Sequence, residues 1–189
     1  AKRDRIITTN GARAGQDVVV SKWIGLEGTS ILAKEKEEEL LTKYPSHLIE
    51  EAKAFDRFLS IVPEAATAGK SGVTAMHDIT EGGIFGALWE LAESSGVGLE
   101  IDLKRIPIRQ ETVEVCEFFG LNPYELISSG SLLMVTDDGL DLVRRLAAEH
   151  IPAAVIGKIR EGNDRVVINE EERRFLEPPK TDELYKVTG

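Results

Sequence analysis

The sequence predicts an α+β fold, a mixed β-sheet packed with helices, and three observations carry that prediction. Short runs rich in Val, Ile and Leu alternate with longer segments whose apolar residues recur every three to four positions. The two kinds interleave without the strict strand–helix–strand rhythm of a doubly wound parallel sheet. Glycines and prolines punctuate most junctions, with no internal repeat or low-complexity tract between them. At 189 residues the chain fits one domain, or one domain with a terminal extension, and is long enough to bury a sizeable core.

Taken in order, DRIITT (4–9) reads as a strand, NG (10–11) as a turn and QDVVVSKW (16–23) as a second strand. IGLEGT (24–29) is a loop whose Thr29 is placed to cap a helix through Ile31, Leu32, Leu40 and Leu41. Residues 34–39 are almost wholly charged at helical spacing, the pattern of a solvated face. Tyr44 and Pro45 break that helix, and Ser46 caps the next, whose stripe is Leu48, Ile49, Ala52, Phe55, Phe58 and Leu59. Pro63 suits the first turn of a short helix that ends at Gly69.

Residues 73–79 form a strand, after which Ile84, Leu88, Leu91 and Ala92 make the apolar stripe of a helix ended by Gly96. Residues 97–102 return as a strand, 106–108 are an extended link, and 109–119 a helix that stops at Gly120. Residues 132–136 are a buried strand, and Leu142, Val143, Leu146 and Ala147 mark the helix 140–150. Residues 153–160, 166–168 and 173–176 are terminal strands or a hairpin, and Pro178 opens a loosely held tail.

Composition narrows the function. Hydrophobic residues at 42% and charged residues at 30% describe an ordinary soluble protein. A net charge of −10 argues against a nucleic-acid partner, which needs clustered Lys and Arg. It does not argue against a small phosphorylated ligand, because a few local amides and one or two cations hold a single phosphate at close range. No apolar run approaches the roughly 18 residues of a membrane span, and the first residues lack a signal-peptide core. No membrane partner and a cytoplasmic location are therefore expected. Cys116, the single cysteine, forms no internal disulfide and reads as a small buried hydrophobe.

The most informative stretch is VTAMHDITEGG (73–83), a strand that stops at an acidic, glycine-rich corner and opens onto an apolar helix. Glycines at such a corner let backbone N–H groups approach a ligand, and the helix points its unpaired amides and positive dipole end back at them. His77 and Asp78 end the strand, Thr80 and Glu81 lie in the turn, and Gly82 and Gly83 precede the helix. Asp78 and Glu81 are caps, ligand-amine partners or metal ligands on this reading, and a plain structural turn stands beside the anion-site reading. Two further loops, Gly25 with Glu27, Gly28 and Thr29, and Ser128, Ser129 and Gly130, are of the same small, hydroxyl-bearing kind. Their strands bring all three to one edge if they share a sheet. The spacing Gly25-x-x-Gly28-Thr29 lacks the lysine of a Walker loop, and neither a serine-nucleophile motif nor a paired-histidine zinc site appears. No catalytic residue is assigned, and no metal ligand is expected in this chain.

With the 73–83 corner, Glu27-Gly28-Thr29, the loop SSGS (128–131) and ELAESSGVG (90–98), the chain resembles the C-terminal domain of the aminoimidazole ribonucleotide (AIR) synthase superfamily. Relatives include the hydrogenase maturation carbamoyl dehydratase, selenophosphate synthetase and thiamine-monophosphate kinase. The resemblance implies an ATP-dependent enzyme that activates a substrate oxygen or similar nucleophile by phosphoryl transfer. It also implies ATP and Mg2+ held mainly by an upstream ATP-binding domain, with none in this chain alone, and a homodimer when full length. Residues 1–14 are then a strand or linker from that domain, 15–177 the AIR synthase C-terminal-like domain, and 178–189 the tail. Glu81 stands where AIR synthases carry a glycine, and its charge opposes a substrate phosphate there. Members of the maturation branch end in a cysteine, where this sequence ends in Lys186-Val-Thr-Gly189. The leading expectation is an enzyme half of unassigned substrate. The alternatives are a carbamoyl-dehydrating maturation factor and a non-catalytic module of the same fold.

Overall fold

The computed structural model describes residues 6–189. Seven strands, β1 (Asp17–Ser21), β2 (Ala75–Ile79), β3 (Gly98–Asp102), β4 (Ser131–Thr136), β5 (Ala153–Arg160), β6 (Arg165–Asn169) and β7 (Glu172–Phe175), form one sheet in the order β2-β4-β1-β5-β3-β6-β7. All neighbours pair antiparallel except β3 with β6. The helices are α1 (Leu26–Glu35), α2 (Glu37–Leu40), α3 (Ser46–Lys53), α4 (Val62–Ala68), α5 (Gly83–Ser95), α6 (Gln110–Phe119), α7 (Gly139–Ala148) and α8 (Tyr185–Thr188). This is the α+β class with a mixed sheet that the sequence predicts.

Strand alternation sorts the core into two layers. On one face Val18, Val20, Ala75, Ile79, Leu133 and Val135 pack with the α5 stripe of Ile84, Leu88, Leu91 and Ala92. On the other, Val19, Leu132 and Met134 meet Ala68 of α4 and Leu142 and Leu146 of α7. β4 is buried along its whole length, so its sequence is a continuous apolar run rather than an alternating one. A third core joins α1, α2, α3 and α6 through Leu32, Leu40, Ile49, Val115 and the buried Cys116. Each fully buried aliphatic side chain contributes about 1.5–3 kcal/mol, so these layers dominate stability.

Several local expectations are corrected. Asp4 and Arg5 of the expected first strand lie outside the described residues; residues 6–8 are not in a strand, and Thr9–Gly11 form a 3-10 turn. Thr8 still accepts a bond from the Met76 amide at 3.2 Å beside β2. The cap of α1 is Gly25 at φ +71°, not Thr29, which is buried one turn inside the helix. The expected long helix breaks at Lys36, where Glu37, Glu38 and Glu39 start α2 at its positive end. Ser46 begins α3 without a side-chain cap because extended Pro45 holds that place, and the stripe ends as the 3-10 turn Ala54–Phe58.

The tail is not loose. Asp182 and Glu183 are among the most buried charged residues, and Leu184 and Val187 pack against the α1/α6 core. An acidic segment with few apolar residues gives no periodic signal, and it docks through hydrogen bonds to backbone that only the fold brings within reach.

Candidate functional site

β2 carries His77 and Asp78 along an edge of the sheet to the corner. His77 shares the face of Ala75 and Ile79 and leans toward α5, where its Nε2 lies 2.6 Å from Glu90 Oε2; Asp78 points to the opposite face and is exposed. Thr80 and Glu81 are exposed in the turn. Gly82 and Gly83 both adopt positive φ, +79° and +62°. A Cβ at Gly83 would stand 2.5 Å from the Tyr124 carbonyl oxygen, so the close approach of the 124–126 loop itself requires glycine there.

The three loops do converge, and they converge by bonding to one another. The Ser128 amide donates to the Thr80 carbonyl at 3.3 Å, the Gly25 amide to Ser128 Oγ at 2.7 Å, and the Gly28 amide to the Ile127 carbonyl at 3.1 Å. Ser128 Oγ in turn donates to the Leu126 carbonyl, and Thr29 Oγ1 to Thr112 Oγ1 at 3.0 Å. These hydroxyls are buried and bonded within the chain: the 126–131 loop lies between the other two and takes up their polar groups. Gly130, at φ +108°, brings the loop against the Phe58 carbonyl, while Ser129 and Glu27 keep partial exposure. One Glu27 oxygen, Oε2, is buried without a partner.

Three of the corner amides, those of Gly82, Gly83 and Phe85, are also occupied. Gly83 donates to the Thr80 carbonyl and Phe85 to the Tyr124 carbonyl, each at 3.1 Å. Gly82 donates to Asp182 Oδ2 at 2.7 Å, while Asp182 Oδ1 accepts from the amides of Ile127 (3.2 Å) and Leu184 (2.9 Å). The chain's own carboxylate thus sits where an external anion was expected, and it ties the corner to the 126–131 loop. Nearby, the Tyr185 hydroxyl donates to Glu81 Oε1 at 2.7 Å; this bond pushes the tyrosine pKa up, with the charges of Glu81 and Asp182 adding to it. Sequence reasoning missed Asp182, Glu183 and Tyr185. The one available signal was an acidic pair followed by Leu184 and Tyr185 in a segment otherwise poor in apolar residues.

What remains open to solvent is therefore an acidic rim: His77, Asp78, Thr80, Glu81 and Glu90. Its carboxylates are hard oxygen donors and His77 a proton carrier, but no group of three His, Cys, Asp or Glu able to hold a metal occurs among the described residues. No described helix is long and apolar enough to cross a membrane.

Comparison with known proteins agrees with this architecture. The carbamoyl dehydratase HypE of Rhizobium leguminosarum is 32% identical over 159 residues, covering 81% of this chain and 43% of that protein. The crystal structure of E. coli HypE, a hydrogenase maturation protein, superposes with a TM-score of 0.76 at 23% identity, over 94% of this chain and 54% of that one. A hydrogenase maturation protein HypE in complex with ATP gives a TM-score of 0.68 at 20% identity, over 96% and 56%. The chain spans about half the length of these relatives. The family model described as AIR synthase related protein, C-terminal domain, matches residues 13–169, a stretch that contains all three converging loops. This chain belongs to that family.

Proposed function

We propose that this chain is the C-terminal half of an ATP-dependent protein of the hydrogenase-maturation kind, in which ATP phosphorylates a substrate oxygen and turns it into a leaving group. The observation that supports it is the 32% identity to a carbamoyl dehydratase over most of the chain. In this reading the acidic rim of Asp78, Glu81 and Glu90 faces an upstream ATP-binding domain. The Thr8 carbonyl accepts the Met76 amide at 3.2 Å, which places Thr8 beside the edge strand that carries Asp78. The rim does not suffice for Mg2+ by itself, and further ligands have to come from the upstream half. This chain's share is then positioning: His77, oriented by Glu90, holds or moves a proton at Nδ1, and the fixed corner sets the wall against which the small-molecule substrate lies. The full-length protein is a homodimer on this reading.

A second reading, a non-catalytic module of the same fold, is favoured by the internal use of every corner amide named above. Full-length protein distinguishes the two. The enzyme reading expects Mg-ATP to bind the complete protein with a Kd near or below about 10 μM and the 189-residue chain at least about a hundredfold more weakly. It also expects ATP turnover that needs the carbamoylated substrate. Complete protein that neither binds nor turns over ATP makes the module reading correct.

A further inference from the structure

A separate groove lies on the α5 side of the sheet, between the β6–β7 hairpin and the 121–126 loop. We propose that it binds a small organic anion carrying a flat ring, with Arg174 and Lys104 taking the anionic group and Tyr124 the ring. The groove encloses about 420 Å3, within the range of small-molecule sites. Its floor is apolar, formed by Leu103 and Val167.

Arg174 is the central observation. It stands opposite Val167 in the β6–β7 register, with its guanidinium 5.4 Å from the centre of the Phe85 ring. Its neighbours are paired: Arg173 binds Glu100 at 3.0 Å and Arg165 binds Glu93. Arg174 makes no ion pair among the described residues, in a chain where carboxylates outnumber cations by 33 to 23. An unpaired guanidinium at the mouth of a cavity is suited to a carboxylate or phosphate, which it meets through two parallel N–H donors.

The ring partner lies beside it. Tyr124 stacks on Phe85 with centroids 5.1 Å apart and planes 10° from parallel. Burial pushes the Tyr124 pKa up while the Arg174 charge pulls it back, so the phenol stays a neutral donor next to the guanidinium. Asn122 also lines the groove, its side chain fixed by Oδ1 accepting the Tyr124 backbone amide at 3.2 Å. Lys104 stands at the rim, bound to Glu170 at 2.5 Å in the open, where solvent keeps that pair exchangeable. Glu172 lines the far end and disfavours a second anionic group there.

The wall is held before any ligand arrives. The Asn122 amide donates to Glu183 Oε2 at 2.9 Å, and the Glu183 amide to the Glu125 carbonyl at 3.3 Å, so the docked C-terminal segment braces the loop from behind. Little ordering is left for binding, and preorganisation of this kind raises affinity. A second cavity of about 280 Å3 shares Val167 and Arg174 and runs toward Phe85 and Glu177, giving room for a substituent on the ring. None of this depends on the ATP-dependent reading of the corner.

Calorimetric titration of the 189-residue chain with four probes tests the proposal: phenyl phosphate, benzoate, benzamide and inorganic phosphate. Phenyl phosphate or benzoate is expected to bind with a Kd below about 1 mM, and benzamide and inorganic phosphate at least about tenfold more weakly. Which of the two anions binds better identifies the anionic group. Arg174→Ala and Tyr124→Leu are each expected to weaken the preferred probe at least about tenfold, with thermal melting checking that both variants stay folded, and Glu149→Gln, at an exposed position just after α7 across the sheet, to leave it unchanged. Arg174→Lys keeps the charge and loses the fork, and is expected to lie between. No binding of either ring-bearing anion up to about 10 mM, equal binding of inorganic phosphate, or affinity indifferent to Arg174→Ala overturns the proposal.

Discussion

Replacing Asp182 by alanine removes the acceptor of three backbone amides at once, those of Gly82, Ile127 and Leu184, at 2.7, 3.2 and 2.9 Å. The side chain is only 3% exposed, so water does not take over these donors without opening the segment. A buried amide left unpaired costs about 1–3 kcal/mol. Three at the low end give about 3 kcal/mol, because part of the cost is offset by no longer burying a carboxylate. That is a large share of the roughly 5–15 kcal/mol that stabilises a domain. Asp182→Asn keeps one acceptor oxygen but turns an NH2 group toward either Gly82 or the Ile127/Leu184 pair, so about 1–2 kcal/mol of loss is expected for it. Urea unfolding of the wild type and both variants measures the difference, and amide hydrogen exchange at Gly82 and Ile127 reports whether the corner opens locally. A loss below about 1 kcal/mol for Asp182→Ala, with unchanged exchange at Gly82, refutes the reasoning and makes the docked segment incidental to the corner.

Other perturbations separate site from scaffold. Asp78→Asn and Glu81→Gln remove exposed charges, so each is expected to change stability by under about 1 kcal/mol while lowering full-length ATP turnover at least about tenfold; large destabilisation with unchanged turnover makes them structural. The Cys116 thiol, its pKa pushed up to about 12 by burial and the charge of Glu183, is expected to resist aromatic disulfide reagents at pH 8 until urea unfolds the chain; immediate reaction of folded protein contradicts its place in the core. Burial raises the Asp17 carboxyl, but its bonds to Lys158 and to the Gly139 amide outweigh this and hold it below the ordinary 3.8. Its contribution is therefore present above pH 3.8 and lost as pH falls through the lowered value. The stability gap between wild type and Asp17→Asn should accordingly shrink between pH 6 and about pH 2.5; a gap that widens with acid contradicts the assignment.

Most of the architecture was written locally. The apolar stripe of Ile84, Leu88, Leu91 and Ala92 specified α5, and the run 132–136 specified a doubly buried β4, because burial demands a side-chain period that neighbouring residues display. The glycine corner was legible for the same reason: positive φ at Gly82 and Gly83 restricts the residue type at those positions. Three loops of small residues hinted at a common edge, and the family resemblance drew on the same residues.

Tertiary structure alone decided who satisfies the donors at that edge. Whether Gly82 offers its amide to a ligand or to the chain depends on Asp182, one hundred residues away, and the hydroxyls of Thr29 and Ser128 went to Thr112 and Leu126 rather than to solvent. Such pairings depend on atoms within about 3 Å of one another, and sequence spacing carries no record of that distance. The same holds for the unpaired guanidinium of Arg174. Arg173 precedes it with the same charge, and only the register of β6 with β7 shows which of the two arginines faces the groove. Periodicity fixes the face on which a side chain lies, because burial is averaged over many neighbours; the partner it finds there is a single contact, and the whole fold selects it.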